Sequence, residues 1–304
     1  MREPCYTLSL PGFSNKEEIV LAFLTDLHQE AFGPLLDSLD HHQPDGILFA
    51  GDLLRGRGLT SDQVARAMEE DLLPLMEALV KRGPTIFSLG NHDHYLSAQD
   101  LRRLEETGAC LVAESFTERW GLKIGGLSSG QVALFRWDPA SVLARERSFL
   151  SQKLYFLRRL TSLAKKEAPP DLDFLEAFSN QPGCKLLLCH HPEYWPKIQA
   201  YPIALTLSGH AHGGQIRLPF TKGRGLYAPG QGFFPRFSGG LYEGSRGKLL
   251  VSRGLSNTAR PLPRLGNPTE LVYIRLLAAQ GGEDDPFRLA FEKGRALPYN
   301  KKEE

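Results

Sequence analysis

The chain has 304 residues, of which 41% are hydrophobic and 23% are charged, so it can bury a sizeable core and is not a disordered chain. Its 36 Lys and Arg residues almost balance its 35 Asp and Glu residues, and a net charge of +1 argues against a general polyanion binder with a stable nucleic-acid partner. The sequence contains no membrane-spanning apolar run, no secretory signal and only four scattered cysteines, so we expect reduced thiols and a cytoplasmic location.

Short apolar runs alternate with longer amphipathic stretches along the chain, a pattern typical of α/β proteins. The runs are continuous rather than alternating, which predicts strands that are covered on both faces. Five of them are predicted core strands, at residues 19–24, 47–50, 86–89, 186–189 and 203–207. Helical stretches at 32–41 and 61–82 separate the first three and indicate β-α-β crossovers. Shorter strands are predicted at 111–113, 122–126, 249–253 and 271–276.

Two segments depart from this pattern. Residues 142–168 carry leucines at a seven-residue spacing with seven Lys or Arg and two Glu, which predicts one long basic helix that ends at Pro169. This helix could pack on the core, form a lid or lie on an anionic membrane. Residues 216–247 are rich in glycine, aromatic residues and arginine, and we interpret them as an ordered loop. Its aromatic side chains could line an acyl or nucleoside pocket, or simply pack the loop down.

Histidine, aspartate and asparagine follow directly after all five core strands, and seven of the nine histidines lie there. In open α/β sheets the carboxyl ends of the strands form the edge where ligands bind. The motifs are, in chain order, D-x-H at 26–28, G-D at 51–52, G-N-H-D-H at 90–94, H-H-P at 190–192 and G-H-A-H-G-G at 209–214.

These residue types predict a metal site. Imidazole nitrogens and oxygen donors without thiolates suit Mn, Fe or Zn in an open catalytic site. The candidate ligands are Asp26, His28, Asp52, Asn91, His190, His210 and His212. Because one zinc ion usually takes about four ligands, seven donors predict two ions, with Asp52 as the simplest bridging carboxylate. The glycines at 51, 90 and 209 precede ligands and would let the backbone turn sharply and approach the ions.

In this order the five motifs resemble the calcineurin-like metallophosphoesterase superfamily. GHAHGGQIRLP at 209–219 and RLGNPTELVYIRL at 264–276 resemble its bacterial branch of YkuE- and YaeI-like phosphodiesterases. The resemblance covers about residues 17–276, except a helical segment near 138–178. It implies a four-layer α/β fold in which two mixed β-sheets pack face to face between helices. We therefore expect a single catalytic domain over residues 1–279, with a helical insertion at about 138–178 and a polar tail at 280–304.

The resemblance also implies a role for each motif residue. The ligands fall into three groups, with one metal held by Asp26, His28 and His212, the other by Asn91, His190 and His210, and both by Asp52. A hydroxide that bridges the metals would attack phosphorus in line. His92 would bind the phosphate and help to protonate the leaving oxygen, and Asp93 would orient the His92 ring. Mn²⁺ is the expected ion, with Fe, Zn and Mg as alternatives.

We therefore expect a two-metal phosphoester hydrolase, and only the branch that it resembles favours a phosphodiesterase. The alternative enzyme is a nucleotide-sugar or lipid-linked pyrophosphatase similar to a UDP-diacylglucosamine hydrolase. The alternative from another class is a non-catalytic interaction scaffold, which the complete ligand set disfavours. The basic helix and the aromatic loop suggest an amphiphilic or nucleotide-containing substrate and peripheral contact with the inner face of the membrane.

Four residues near the motifs have open roles. His94 and His191 are expected to support the ligands or to lie on the surface. Arg55 and Arg253 could bind a second phosphate or could be ordinary surface charges.

Overall fold

The structure is a computed structural model that describes residues 1–15, 17–55, 59–130, 170–217, 224–256 and 264–278. The predicted helix at 142–168 and the predicted tail at 280–304 lie outside these residues. Of the predicted insertion, only the last part is described, and it contains a helix at Leu172–Ser179.

The first sheet has six strands. In spatial order they are β1 (Cys5–Ser9), β14 (Val272–Leu277), β2 (Ile19–Leu24), β3 (Gly46–Ala50), β4 (Thr85–Ser88) and β5 (Cys110–Leu111). β14 pairs antiparallel with β2, and all other neighbours are parallel. The carboxyl ends of β2, β3 and β4 therefore meet at one edge of this sheet.

The second sheet also has six strands. In spatial order they are β12 (Gly240–Glu243), β13 (Lys248–Val251), β9 (Leu205–Ser208), β8 (Cys184–Cys189), β7 (Leu122–Leu127) and β6 (Ser115–Arg119). Both outermost pairs are antiparallel and the central pairs are parallel, so β8 and β9 also end at a common edge. A separate antiparallel ribbon joins β10 (Tyr227–Ala228) to β11 (Gly232–Phe233).

Helices cover the outer face of each sheet. The first sheet is covered by α1 (Gly33–His42), α2 (Ser61–Ala67), α3 (Leu73–Val80) and α4 (Ala98–Glu106), and the second by α5 (Leu172–Ser179) and α6 (Trp195–Ile198). Thr60 begins α2 with a capping box, in which its hydroxyl accepts from the Gln63 N–H. A π-helical turn at Met68–Leu72 separates α2 from α3. Pro74 explains this turn, because it lacks an amide hydrogen and its ring would clash with the carbonyl four residues earlier.

The core consists of three apolar layers. Leu21 and Leu48 of the first sheet pack with Leu186 and Leu207 of the second in the middle layer, and each outer layer lies between one sheet and its helices. This arrangement confirms the predicted four-layer fold, with two mixed sheets packed face to face. Every core strand is buried along almost its whole length, as its continuous apolar sequence predicted.

The structure confirms the predicted core strands and corrects several other predictions. All five predicted core strands are present within two residues of the predicted ends. β1, β6 and the helix α4 were not predicted, and the segment at 216–247 contains β10, β11 and β12 rather than loop alone. The amphipathic spacing of α4 is short, and β6 is an exposed edge strand without a continuous apolar run, so neither has a strong sequence signal. In the described part of the chain, no helix has the length and apolar character needed to cross a bilayer.

Candidate metal centre

The seven predicted ligands lie together at the edge where the carboxyl ends of β2, β3, β4, β8 and β9 meet. None of them is more than 7% exposed, and they comprise Asp26, His28, Asp52, Asn91, His190, His210 and His212. The first sheet supplies both carboxylates, the asparagine and one histidine, and the second sheet supplies the other three histidines. The site therefore spans the two sheets.

The two carboxylates are each surrounded by imidazole nitrogens. Around Asp26 Oδ1 the distances to Nε2 are 3.5 Å for His212, 3.7 Å for His190 and 3.8 Å for His28. Around Asp52 Oδ2 they are 3.2 Å for His190, 3.6 Å for His28 and 3.8 Å for His92. Two ligands that are each about 2.1 Å from one ion, at an angle of about 100–130°, lie about 3.2–3.8 Å apart. The observed spacing is thus that of donors around a cation.

Buried polar atoms without partners also fit a cation. Asn91 Oδ1 and Asp52 Oδ2 are buried and have no hydrogen-bond partner, although buried oxygens are rarely left in this state. The ring of His28 lies with Nδ1 2.8 Å from the Leu54 carbonyl oxygen, and His190 Nδ1 lies 2.7 Å from that of Ala50. Each Nδ1–H donates to its carbonyl, which directs Nε2, the nitrogen that would bind a cation, into the site. The residues present therefore fit divalent cations.

Five of the seven ligand residues have a left-handed backbone conformation. The positive φ angles belong to Asp26 (54°), His28 (49°), Asp52 (61°), His210 (60°) and His212 (45°). A non-glycine residue in this region costs about 1–3 kcal/mol, and such strain persists only where the surrounding fold imposes it. The strands thus end in sharp turns that direct these side chains inward at the expense of local backbone energy.

Two of the glycines predicted to allow close approach do so. A Cβ atom on Gly90 would lie 2.2 Å from Asp52 Oδ1, and one on Gly209 would lie 2.0 Å from Thr25 Oγ1 and 2.4 Å from Asp26 Oδ2. Only residues without a side chain can occupy these positions while the carboxylates stay where they are.

Electrostatics set the protonation of the site. Burial would raise the pKa of both carboxyls, but His212 and His190 lower the pKa of Asp26, and His190 and His92 lower that of Asp52 well below its usual range. Burial lowers the pKa of His212 to about 3, and the Asp26 carboxylate opposes this shift. The two carboxylates outweigh burial at His190 and raise its pKa to about 9, so a bound cation would displace that proton.

Asp93 binds backbone N–H groups, and its predicted task of orienting the His92 ring stays a prediction. Its Oδ2 accepts from the backbone N–H groups of Asp52 and Gly90, each at 2.8 Å. Its Oδ1 accepts from those of Leu53 at 2.8 Å and Leu54 at 3.2 Å. Burial and the Asp52 carboxylate raise the pKa of Asp93 to about 6, and its N–H donors oppose this shift. Because these four bonds use the acceptor capacity of both oxygens, Asp93 fixes the turns after β3 and β4.

His92 lies at the rim of the site. Its backbone N–H donates to Asp52 Oδ1 at 2.8 Å, and its ring nitrogen Nε2 lies 3.8 Å from Asp52 Oδ2. Its side chain is 17% exposed, more than the ligand side chains His28 and His212 at 6% and 7%. This position is open to a substrate, and the predicted catalytic role of His92 stays a prediction.

Glu193 supports the site and was not predicted. Its Oε1 lies 3.1 Å from Nδ1 of His191 and 3.7 Å from Nε2 of His210, and His191 Nε2 lies 2.8 Å from Ser129 Oγ. His191 is buried, which places it behind the ligands rather than on the surface. Glu193 therefore fixes the ring of His191, whose centroid lies 4.3 Å from that of the candidate ligand His210. The only sequence signal was the position of Glu193 directly after H-H-P, and one acidic residue is too common to be informative.

The two arginines with open roles have protein partners. Arg253 Nε lies 3.3 Å from Glu270 Oε2, and Arg55 Nε donates to the His28 carbonyl oxygen at 3.3 Å. Arg264 was not predicted as a site residue, yet its Nε donates to the Ser256 carbonyl oxygen at 2.8 Å and its Nη2 lies 3.4 Å from His212 Nδ1. These contacts tie the segment after β13 to the metal ligands.

Comparisons with known proteins agree with this geometry. The family model described as calcineurin-like phosphoesterase matches residues 19–214. The uncharacterized metallophosphoesterase YkuE of Bacillus subtilis is 39% identical over 242 residues, which cover 78% of this chain and 69% of the relative. The phosphodiesterase YaeI of Escherichia coli is 27% identical over 254 residues, or 80% of this chain and 77% of the relative.

A third relative is the UDP-2,3-diacylglucosamine pyrophosphatase LpxG of Chlamydia trachomatis. It is 30% identical over 151 residues, which cover 48% of this chain and 44% of LpxG. The matched region spans 69% of the length of YkuE and 60% of the length of three further relatives. On the family match and on its similarity to YkuE, this chain belongs to the calcineurin-like phosphoesterase family.

Proposed function

We propose that this protein is a phosphodiesterase that works with two divalent cations. The observation that carries the proposal is the shared ring of imidazoles around Asp26 and Asp52, at 3.2–3.8 Å. One cation would be held by Asp26, His28 and His212, the other by Asn91, His190 and His210, and both by Asp52. The preference for a diester is supported by the similarity to the phosphodiesterase YaeI.

The chain's own residues divide the chemistry between them. Bound cations supply positive charge that polarises a phosphoryl group and lowers the pKa of water. His92, which lies at the rim, carries a proton at Nε2 and donates it to the leaving oxygen. Its backbone bond to Asp52 keeps the ring beside the metal ligands during this transfer. Asp93 and Glu193 hold the surrounding turns and rings in place.

The donor set favours ions that accept both imidazole and oxygen ligands. Mn²⁺ meets this condition and is the first ion to test, with Fe, Zn and Mg as the other candidates. Because raw affinity does not follow biological use, metal content has to be measured on protein from its natural host.

A second candidate is hydrolysis of the pyrophosphate bond of a nucleotide- or lipid-linked substrate. The similarity to LpxG, which is named a pyrophosphatase, favours it. Both candidates use the same cations and the same proton donor, and they differ in the group that leaves.

The experiment compares bis(p-nitrophenyl) phosphate, p-nitrophenyl phosphate and a nucleoside diphosphate sugar as substrates of metal-depleted protein reloaded with Mn²⁺. We expect Asp52→Asn to lower metal content and kcat, by about 100-fold or more, because it removes the shared carboxylate. His92→Ala should lower kcat by about 100-fold with unchanged metal content. His41→Ala, an exposed histidine in α1, is the matched control and should change neither.

Hydrolysis that neither substitution affects would overturn the assignment. Metal-loaded protein that hydrolyses none of the three substrates would favour the non-catalytic scaffold. Faster turnover of the nucleoside diphosphate sugar than of the diester would favour the pyrophosphatase.

A further inference from the structure

Three exposed apolar side chains lie on segments that pair, directly or through Leu226, with the chain just after His212. Phe233 is 59% exposed, Phe234 is 64% exposed and Leu265 is 58% exposed. Within the described ranges, the other exposed large apolar residues are Met1, Phe116, Leu172 and Leu277. Single exposed apolar residues are normal on soluble proteins, but a group of them at one place indicates an interaction surface.

The three residues belong to one small sheet-like surface, here named the rim ribbon and defined as residues 214–217, 224–234 and 264–266. Leu265 pairs with Ile216 through a parallel bridge. The Leu226 N–H donates to the Ile216 carbonyl at 2.8 Å, and the Phe234 N–H donates to the Leu226 carbonyl at 2.8 Å. The rim ribbon begins two residues after the ligand His212.

The pairing register places apolar residues in one row. Arg217 bridges Gly225, so Ile216 and Leu226 are opposite each other, and the pairing of Tyr227 with Phe233 puts Leu226 opposite Phe234. Residues directly opposite on neighbouring strands share a face. The row therefore contains, in order, Leu265, Ile216, Leu226 and Phe234, and none of these is buried. With strands about 4.8 Å apart, the row is about 14 Å long.

The segment that carries the rim ribbon is strongly basic. Residues 209–269 contain nine Lys or Arg and a single acidic residue, Glu243, although the whole chain has a net charge of only +1. Arg224 and Arg236 are exposed. Arg224 lies two residues before Leu226, and Arg236 lies two residues after Phe234. The remainder of the chain is correspondingly acidic, with 27 Lys or Arg against 34 Asp or Glu, so the exposed phenylalanines lie in the basic segment of the sequence.

We propose that the rim ribbon docks on the surface of an anionic phospholipid bilayer. Phe234 and Leu265, the two exposed members of the row, insert into the headgroup and acyl boundary, and the exposed side chains of Arg224 and Arg236 face lipid phosphates. Exposed apolar side chains flanked by the exposed Arg224 and Arg236 complement both the acyl boundary and the negative charge of such a bilayer. Docking would turn the metal centre toward phosphoesters in the membrane. The inference deepens the proposed function, but vesicle binding itself does not depend on hydrolysis.

The test is flotation of the full chain with vesicles of equal parts phosphatidylglycerol and phosphatidylcholine, against vesicles of phosphatidylcholine alone. We expect binding only to the anionic vesicles at low ionic strength, and weaker binding as salt is added. Phe234→Ser with Leu265→Ser should weaken binding by about tenfold or more. Arg224→Gln and Arg236→Gln should each weaken it by about fivefold.

Two variants separate the possible outcomes. Phe116→Ser, at a 40% exposed position on β6, is the matched control and should bind as the unchanged chain does. Asp52→Asn should also keep full binding, so that loss of hydrolysis and loss of docking are distinguished. If the double serine variant does not fold, Phe234→Ser alone replaces it.

Failure of the unchanged chain to bind anionic vesicles at low salt would overturn the proposal. Equal binding by the rim-ribbon variants and the unchanged chain would also overturn it, because the contact would then lie elsewhere. The proposal would also be overturned if the rim-ribbon variants changed only the sedimentation of the protein without vesicles. The rim ribbon would then be a contact between copies of the chain.

Discussion

Gly209→Ala tests whether the backbone must touch the metal ligands. The added Cβ would lie 2.0 Å from Thr25 Oγ1, 2.4 Å from Asp26 Oδ2 and 2.8 Å from Thr25 Cγ2, far inside ordinary contact distance. Neither residue can move aside easily, because both are fully buried and the Thr25 hydroxyl is 3.1 Å from the Ala50 carbonyl oxygen. The β9 turn and Asp26 must therefore separate by about 1 Å or more.

This displacement has two measurable consequences. Overpacking of this kind costs about 1–3 kcal/mol, so urea unfolding of the metal-free variant should show a decrease of that size in the free energy of unfolding. Moving a ligand carboxylate should also weaken Mn²⁺ binding by about 10–100-fold in a chelator competition assay.

Gly33→Ala is the matched control. A Cβ at Gly33, the first residue of α1, meets no atom within 4 Å, and alanine favours helix. We expect unchanged Mn²⁺ binding and a gain in stability of no more than about 1 kcal/mol. If Gly209→Ala binds Mn²⁺ as tightly as Gly33→Ala does, the close approach does not position Asp26 and the reasoning is wrong.

Three further predictions concern two places around the candidate ligands and one residue at the opposite end of the second sheet. Asp93→Ala leaves buried N–H groups without acceptors. In urea unfolding of the metal-free protein, we expect it to lower the free energy of unfolding by at least about 2 kcal/mol. His92→Ala, at the rim, should lower it by under about 1 kcal/mol. Glu193→Gln should weaken Mn²⁺ binding by about tenfold without unfolding the protein, and an unchanged affinity would contradict its role behind His210. Burial lowers the pKa of Lys185 from 10.5 to about 8, so the unfolded state binds more protons between these values and stability rises with pH there. Between about pH 7 and pH 9.5, the free energy of unfolding of the unchanged chain should therefore rise by about 2 kcal/mol relative to that of Lys185→Met. If the difference between the two proteins does not depend on pH, the pKa of Lys185 is not lowered by burial.

The parts of the fold that were predictable have signals within a few residues. The apolar run at Ile19–Leu24 and the D-x-H that follows it are adjacent in the chain, so strand and ligand could be identified together. Strands that are buried on both faces need continuous apolar residues, and for this reason all core strands could be identified from the sequence. Edge strands have no such requirement: β6 is exposed along most of its length, and its pairing with β7 is set by tertiary contacts.

The roles of Asp93 and Glu193 could not be predicted from sequence for a related reason. Asp93 accepts from backbone groups 39–41 residues earlier in the chain, and backbone amides are the same at every position. Glu193 Oε1 reaches the ring of His210 at 3.7 Å only because β8 and β9 are neighbours in the second sheet. A motif shows which side chains meet at a site, but contacts to the backbone and between adjacent strand ends depend on the completed sheet.

Because the candidate ligands are divided between the two sheets, metal binding depends on how the two sheets pack together. The His210 backbone N–H lies 3.1 Å from Asp26 Oδ2, and His190 Nδ1 lies 2.7 Å from the Ala50 carbonyl oxygen, so each contact crosses from one sheet to the other. Cations held by both sets of ligands would cross-link the sheets at their common edge and stabilise the folded state by linkage. Conversely, the apolar layer between the sheets, which includes Phe23 and Leu207, sets the spacing of the donors. The strained turns can be maintained because this packed layer, rather than the local sequence, fixes where each strand ends.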